Sequence, residues 1–262
     1  MLTRITDEIS LIKVKFHNVF TSVFLIKLDT GYALFDAATT ESDVNETIMP
    51  AISMAGIKPI EVRFLFISHT HGDHFGGAAA LLARLPAARL VLFDRDAAMA
   101  RGLSDRLFLG DECEYAPLRT VELCGHERHC LAVFDPRTKV LLSGDAVQLF
   151  GVARWGTGVS DIDGYFGTLD KIRAMDTDLL VTSHEYYPLG QTAIGKRAVR
   201  RYLDASENAL RELISLVKDS SEDSPERISE SITEQKRRRE PNFPSQQAGA
   251  IAAILEYIKA AD

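Results

Sequence analysis

Cysteine is scarce in this chain: Cys113, Cys124 and Cys130 are the only three among 262 residues. Three cysteines make no disulfide framework, and the odd count fits a reducing compartment. Long apolar runs are missing too. VFTSVFLIKL is too short to cross a membrane and is broken by Thr21, Ser22 and Lys27. The first ten residues, MLTRITDEIS, carry no apolar stretch of the signal-peptide kind. A cytoplasmic protein without a membrane partner is therefore expected. Basic residues are not in excess either: 30 Lys and Arg stand against 37 Asp and Glu, a net charge of −7. An acidic balance argues against nucleic acid as the main partner. No repeat of 20–50 residues is visible.

What remains is the composition of a globular protein, with 46% hydrophobic and 26% charged residues. Its first part alternates strand and helix patterns. ISLIKVK, SVFLIKL and YALFDA read as strands, the last two joined at Asp29-Thr30-Gly31. SDVNETIMPAISMAGI reads as a helix capped by Ser42 and ending near Gly56, with Pro50 as a kink or an early stop. RFLFIS is a short strand, and HFGGAAALLARL a helix after it. LVLF, TVELC, LAVFD, KVLLSG and DLLVTS are further strands, and DGYFGTLDKIRAM is a helix. Strands are expected to stop near Gln191. Val199, Leu203, Leu210, Leu213 and Val217 then form one apolar stripe on a long helix. SSEDSP is a linker, Ser224-Pro225 a helix start, and Ser245 the expected opening of a last helix. The division this suggests is an α/β domain over residues 1–190 and a helical extension over 191–262, with the tail offering a homodimer interface.

Two stretches concentrate metal-binding side chains. The loop after RFLFIS reads SHTHGDHFGG and holds His69, His71, Asp73 and His74. Alternate residues of an extended segment face the same way, so His69 and His71 can address one ion. A turn at Gly72 can then present Asp73 and His74 to a second. Imidazoles with a carboxylate suit zinc and similar borderline metals. Three of the seven histidines fall in this loop at a strand end, where scaffolds place catalytic groups, so a merely polar surface loop is the weaker reading. The second stretch, LCGHERHC, brings together Cys124, His126, His129 and Cys130, and by itself does not say which of them bind.

The pattern H-x-H-x-D-H after a short apolar strand resembles that of the metallo-β-lactamase superfamily of metal-dependent hydrolases. The resemblance continues in order along the chain. LFDAA ends a strand in Asp36, Gly125-His126 follows another, LLSGDA carries Asp145, and LLVTSHE carries His184. It implies a four-layer αββα sandwich with two divalent ions, zinc first and iron or manganese as alternatives. His69, His71 and His126 would hold one ion, and Asp73, His74 and His184 the other. Asp145 would bridge them. Asp36 would orient the ligand loop rather than bind. In LCGHERHC, then, only His126 is assigned to metal, Cys124 and Cys130 are expected to be buried or supporting thiols, and His129 is a turn residue.

The resemblance implies a bridging hydroxide that attacks the acyl carbonyl of a small ester, thioester or lactone, with Asp73 also acting catalytically by orienting the nucleophile. Substrate-side residues are fewer. His184-Glu185-Tyr186 is similar to the thioesterases of the glyoxalase II type, in which the matching tyrosine contacts substrate, and Arg154-Trp155 lies near a second such segment. Against this, Tyr186 and Tyr187 can simply pack the tail. Gln148 stands where acyl-homoserine lactonases of this fold carry a catalytic tyrosine, which argues against that particular lactonase reading. Lys236-Arg237-Arg238-Arg239 reads as a solvated helical face balanced by Glu226, Glu230 and Glu234. A mononuclear-iron persulfide dioxygenase and a metallo-nuclease are the alternatives from the same fold.

Overall fold

The computed structural model describes residues 2–261. Its chain divides into two compact units. One runs to Glu122 and takes in Leu131–Gly144; the other holds Leu123–Cys130 and the chain from Asp145 onward.

The first unit is built on a six-stranded sheet in the order β1 (Leu2–Arg4), β2 (Ile9–Phe16), β3 (Val19–Leu28), β4 (Gly31–Phe35), β5 (Val62–Phe66) and β6 (Arg89–Val91). The first three pairings are antiparallel. The expected turn at Asp29-Thr30 joins β3 to β4. The pairs β4–β5 and β5–β6 are parallel, which requires a crossover between their members. Ile12, Val14, Val23, Leu25, Leu34, Leu65 and Leu90 of the sheet share a buried cluster with Val44, Ile48, Ile52, Phe75, Leu81 and Leu82 of the crossover helices. Parallel pairing runs on past the strand ends: Asp36 N–H donates to Phe66 O at 2.8 Å and Ile67 N–H to Val91 O at 3.0 Å. The carboxyl ends of β4 and β5 are therefore level, the place where open α/β sheets put their ligands.

The crossover helices differ from expectation in two ways. The first starts at Thr40, not Ser42: Thr40 Oγ1 accepts from Asp43 N–H at 3.1 Å while Thr40 N–H donates to Asp43 Oδ2 at 2.8 Å. It continues through a π-helical stretch, Val44–Ile48, into Met49–Met54, so Pro50 is absorbed at the start of the second α segment rather than ending the helix. The second helix is split into Gly72–Phe75 and Ala78–Arg84. A Cβ on Gly76 would stand 2.1 Å from Thr39 O, and one on Gly77 2.2 Å from Ala37 O. The glycine pair lets the segment after β4 lie directly against this break. Three more strands follow: β7 (Arg119–Leu123), β8 (Cys130–Asp135) and β9 (Val140–Leu142), with β8 hydrogen-bonded between the other two.

The second unit carries a short hairpin, β10 (Gly151–Val152) with β11 (Trp155–Gly156), the helix Ile162–Arg173, and an antiparallel pair, β12 (Leu179–Tyr186) with β13 (Gly190–Ile194). Strand structure thus persists to Ile194, past the expected stop near Gln191. The helix Lys196–Lys218 buries Val199, Leu203, Leu210, Leu213 and Val217, the stripe read from periodicity. Ser224 caps the helix Pro225–Arg237 by accepting from Arg227 N–H. The last helix begins at Ala248, not at Ser245, because Ser245 is used elsewhere: its N–H donates to Ala153 O at 2.8 Å and its hydroxyl accepts from Arg237 at 2.9 Å.

Arg237, Arg238 and Arg239 of the basic run are exposed, whereas Lys236 has different partners from those expected. Lys236 is paired with Glu212 and Glu240, each at 2.9 Å, and lies over the rings of Phe150 and Phe243 at 5.2 and 5.1 Å. Phe243 is almost wholly buried, and Tyr187 donates its hydroxyl to Glu240 at 2.9 Å. Tyr187 therefore packs the tail.

Candidate metal centre

In the first unit the level strand ends bring Asp36 next to Ser68. Asp36 is completely buried and sits at φ +68°, a backbone conformation unusual for a residue with a side chain. That turn aims its carboxylate at the loop. Oδ1 accepts from Ser68 N–H at 2.7 Å; Oδ2 accepts from the Ser68 hydroxyl at 3.0 Å and from His74 Nδ1 at 2.8 Å. Ser68 Oγ also lies 2.9 Å from His69 Nδ1. Two imidazoles are thus gripped at Nδ1, and each directs Nε2 away from the Asp36–Ser68 pair. His69 Nε2 lies 3.0 Å from His71 Nδ1, and His74 Nε2 lies 3.4 Å from Asp73 Oδ2. His71 precedes the helix Gly72–Phe75 and accepts Phe75 N–H at 3.0 Å, so the helical turn swings Asp73 and His74 round beside it. The loop grades from buried His74 and His69, through half-buried Asp73, to exposed His71.

In the second unit His126 follows Gly125, and Asp145 follows Gly144. Gly125 has φ +107°, and a Cβ there would meet Tyr165 N and Cα at 2.5 Å. Asp145 Oδ2 stands 3.6 Å from His184 Nε2 and 4.0 Å from His126 Nε2, and all three residues are buried.

These spacings test whether the residues suit a divalent ion. Two ligand atoms about 2.1 Å from a tetrahedral ion lie roughly 3.4 Å apart. The His74–Asp73 and His184–Asp145 separations are close to that value and too long for a hydrogen bond. Nitrogen and carboxylate oxygen donors together suit zinc, iron or manganese. Rings held at one nitrogen with the other turned toward a co-ligand are the supporting arrangement metal histidines require. The residues of each unit therefore fit such an ion.

The other sequence candidates fall as follows. Cys130 is buried, its Sγ 3.7 Å from Glu127 O, and burial pushes its thiol up to about 12. Cys124 is half-buried and donates to Gly164 O at 3.6 Å. Tyr186 is buried with its ring edge-on to His184 at 5.8 Å. Arg154 is exposed, and its guanidinium lies over the half-buried Trp155 ring at 4.5 Å. Ser68 was missed as a contributor, although its place between a strand and the first histidine was a usable signal. Gln148 stands out in the sequence only as the absence of a tyrosine; the structure places it against His126.

Comparison with known proteins adds the following. The family model described as the metallo-beta-lactamase superfamily matches residues 18–184. A hydroxyacylglutathione hydrolase of Synechococcus sp. (strain JA-3-3Ab) is 28% identical over 153 residues, 57% of this chain and 59% of that protein. The chain thus spans about 59% of the length of that relative. A beta-lactamase-like protein 2 homolog of Caenorhabditis elegans is 23% identical over 200 residues, covering 74% of this chain and 65% of that one. A metallo-beta-lactamase family protein of Thermus thermophilus superposes with a TM-score of 0.70 at 16% identity, over 98% of this chain and 95% of the other. The fold is therefore the α/β fold of that family, followed by C-terminal helices.

Proposed function

We propose a function on the premise that the chain belongs to the metallo-beta-lactamase superfamily: it is a metal-dependent hydrolase of a small acyl compound, with a thioester as the first substrate class and an ester or lactone next. In this reading His69, His71 and His126 hold one divalent ion, Asp73, His74 and His184 a second, and Asp145 is shared. The observation that carries it is the donor arrangement, imidazoles fixed at Nδ1 and carboxylates at co-ligand distance from Nε2.

When bound, two such ions lower the pKa of water into the neutral range and polarise an acyl carbonyl. The remaining work falls to the chain. Asp36 and Ser68 keep the hydrogen of His74 on Nδ1, which directs the Nε2 lone pair outward. Asp73 orients the nucleophile through its carboxylate, and its own position is set where its carbonyl accepts the Thr21 hydroxyl at 3.2 Å. Exposed His71 marks the side open to substrate. No serine or cysteine nucleophile is required, consistent with a Cys130 thiol that stays protonated at neutral pH.

Support for a thioester comes from the hydroxyacylglutathione hydrolase relative. Against an acyl-homoserine lactonase in particular stands Gln148, buried where that reading needs a tyrosine. The test is a hydrolysis panel of glutathione thioesters, acyl-CoA thioesters and lactones, run on the native protein and on His71→Ala. Turnover of a thioester that His71→Ala abolishes together with metal retention is the expected result. Full turnover by a metal-free His71→Ala protein refutes the proposal.

A further inference from the structure

His126 is held by a strap formed from residues 157–160 and closed by Gln148. Ser160 N–H donates to Gly125 O at 2.7 Å, and the Ser160 hydroxyl donates to His126 O at 2.9 Å. Thr157 Oγ1 donates to Leu149 O at 2.7 Å. Between these anchors Gly158 presents both of its peptide groups. Its N–H donates to Gln148 Oε1 at 2.6 Å, and its carbonyl oxygen contacts His126 Nδ1. The Gly158 N–H fixes which way the Gln148 amide faces, because only the oxygen can accept it. Gln148 Nε2 is therefore the atom that lies 2.9 Å from His126 Nδ1. The backbone of Gln148 is anchored as well, its N–H donating to the Tyr165 hydroxyl at 3.1 Å.

One ring nitrogen thus faces both a fixed acceptor and a fixed donor. With its hydrogen on Nδ1 the ring donates to Gly158 O and leaves the Nε2 lone pair free on the side of Asp145; with Nδ1 accepting from Gln148 Nε2 the hydrogen would sit on Nε2 and block a metal there. Gln148 favours the first form through its oxygen, which fixes the Gly158 peptide whose carbonyl takes the Nδ1 hydrogen. We propose that Gln148 is the positioning residue of His126: it holds the imidazole ready to bind a metal ion before that ion arrives, and it does not contact substrate. The proposal rests on the metal-centre reading above and adds a residue to it. It also gives the position a role in a chain that lacks the tyrosine of the lactonase reading.

Three variants test it. Gln148→Leu keeps the volume and removes both amide contacts. Gln148→Glu keeps an oxygen for Gly158 N–H and offers another to His126 Nδ1. Gln148→Asn is one methylene too short to bridge the two, and reads out the same loss if the leucine variant does not fold. Zinc affinity is measured by competition with a chromogenic chelator, beside thermal unfolding of the zinc-free proteins. Gln148→Leu and Gln148→Asn are expected to weaken binding of one zinc ion about 10- to 100-fold, with Gln148→Glu recovering most of that loss. Native zinc affinity in the leucine and asparagine variants overturns the proposal, even where their unfolding temperature falls, since that leaves Gln148 a packing role only. A native protein that takes up no zinc overturns the metal-centre reading and this proposal with it. Native zinc uptake with unchanged variants overturns this proposal alone.

Discussion

Replacing Asp36 by asparagine changes almost no volume and tests how the ligand loop is held. The carboxylate accepts three hydrogen bonds, from Ser68 N–H at 2.7 Å, from the Ser68 hydroxyl at 3.0 Å and from His74 Nδ1 at 2.8 Å. Asparagine keeps one oxygen, and Ser68 N–H has no other role open to it, so the oxygen stays there. The amide nitrogen then faces His74 Nδ1, and the ring relieves the clash by moving its hydrogen to Nε2. That is the nitrogen on the Asp73 side, so a metal can bind only after the hydrogen is displaced. Losing one charge-assisted bond costs roughly 1.5–3 kcal/mol of stability. Disturbing a partner of a metal-ligating histidine lowers metal affinity about 10- to 100-fold. Asp36→Ala, which leaves the buried Ser68 N–H without its acceptor and removes the carboxylate from His74 Nδ1, is expected to cost about 2–6 kcal/mol. Urea unfolding gives the first quantity and chelator competition the second. An Asp36→Asn protein that binds two zinc ions as tightly as the native one refutes the reasoning.

Other outcomes follow from the same contacts. Gly125→Ala forces a Cβ to within 2.5 Å of Tyr165 backbone at φ +107°, and is expected to destabilise the fold by about 2–5 kcal/mol while displacing His126, as read by urea unfolding and metal content. Phe243→Ala removes a buried ring packed on Phe150 at 5.1 Å and beneath Lys236, and should cost about 3–5 kcal/mol by calorimetry without changing zinc stoichiometry. The Lys236 ammonium beside Glu240 holds that carboxyl below its ordinary value, and Arg211, then Arg173, do the same for Glu207. A carboxylate lowered on folding stabilises the protein above its unfolded pKa, about 4.3, and that gain is lost as pH falls through the folded value. The unfolding temperature of zinc-free protein should therefore fall below about pH 4.5, and the deficit of Glu240→Gln relative to the native chain should narrow there.

How far the sequence could be read depended on the range of the forces involved. The loop from Ser68 to His74 was legible because its chemistry is local: a strand ends, alternate side chains share a face, and a glycine turns the chain. The stripe of the helix Lys196–Lys218 was legible for a similar reason, a single period repeated over six turns. Long-range partners were not. Ser245 resembles a helix cap, but Ala153 and Arg237 claim it first. Lys236 reads as one of a solvated run, yet Glu212, more than twenty residues away, and two aromatic rings enclose it. β13 follows a turn with too little alternation to announce a strand, and exists because β12 supplies its hydrogen bonds. Gln148 carried no motif of its own; only the folded strap shows what its amide does.

In the proposed function His69, His71, Asp73, His74, His126, Asp145 and His184 serve a pair of divalent ions. Elemental analysis of the purified chain after equilibration with zinc tests it most directly. Two zinc ions per chain, falling below two in Asp145→Ala, is the predicted result; a native chain that retains none contradicts the account.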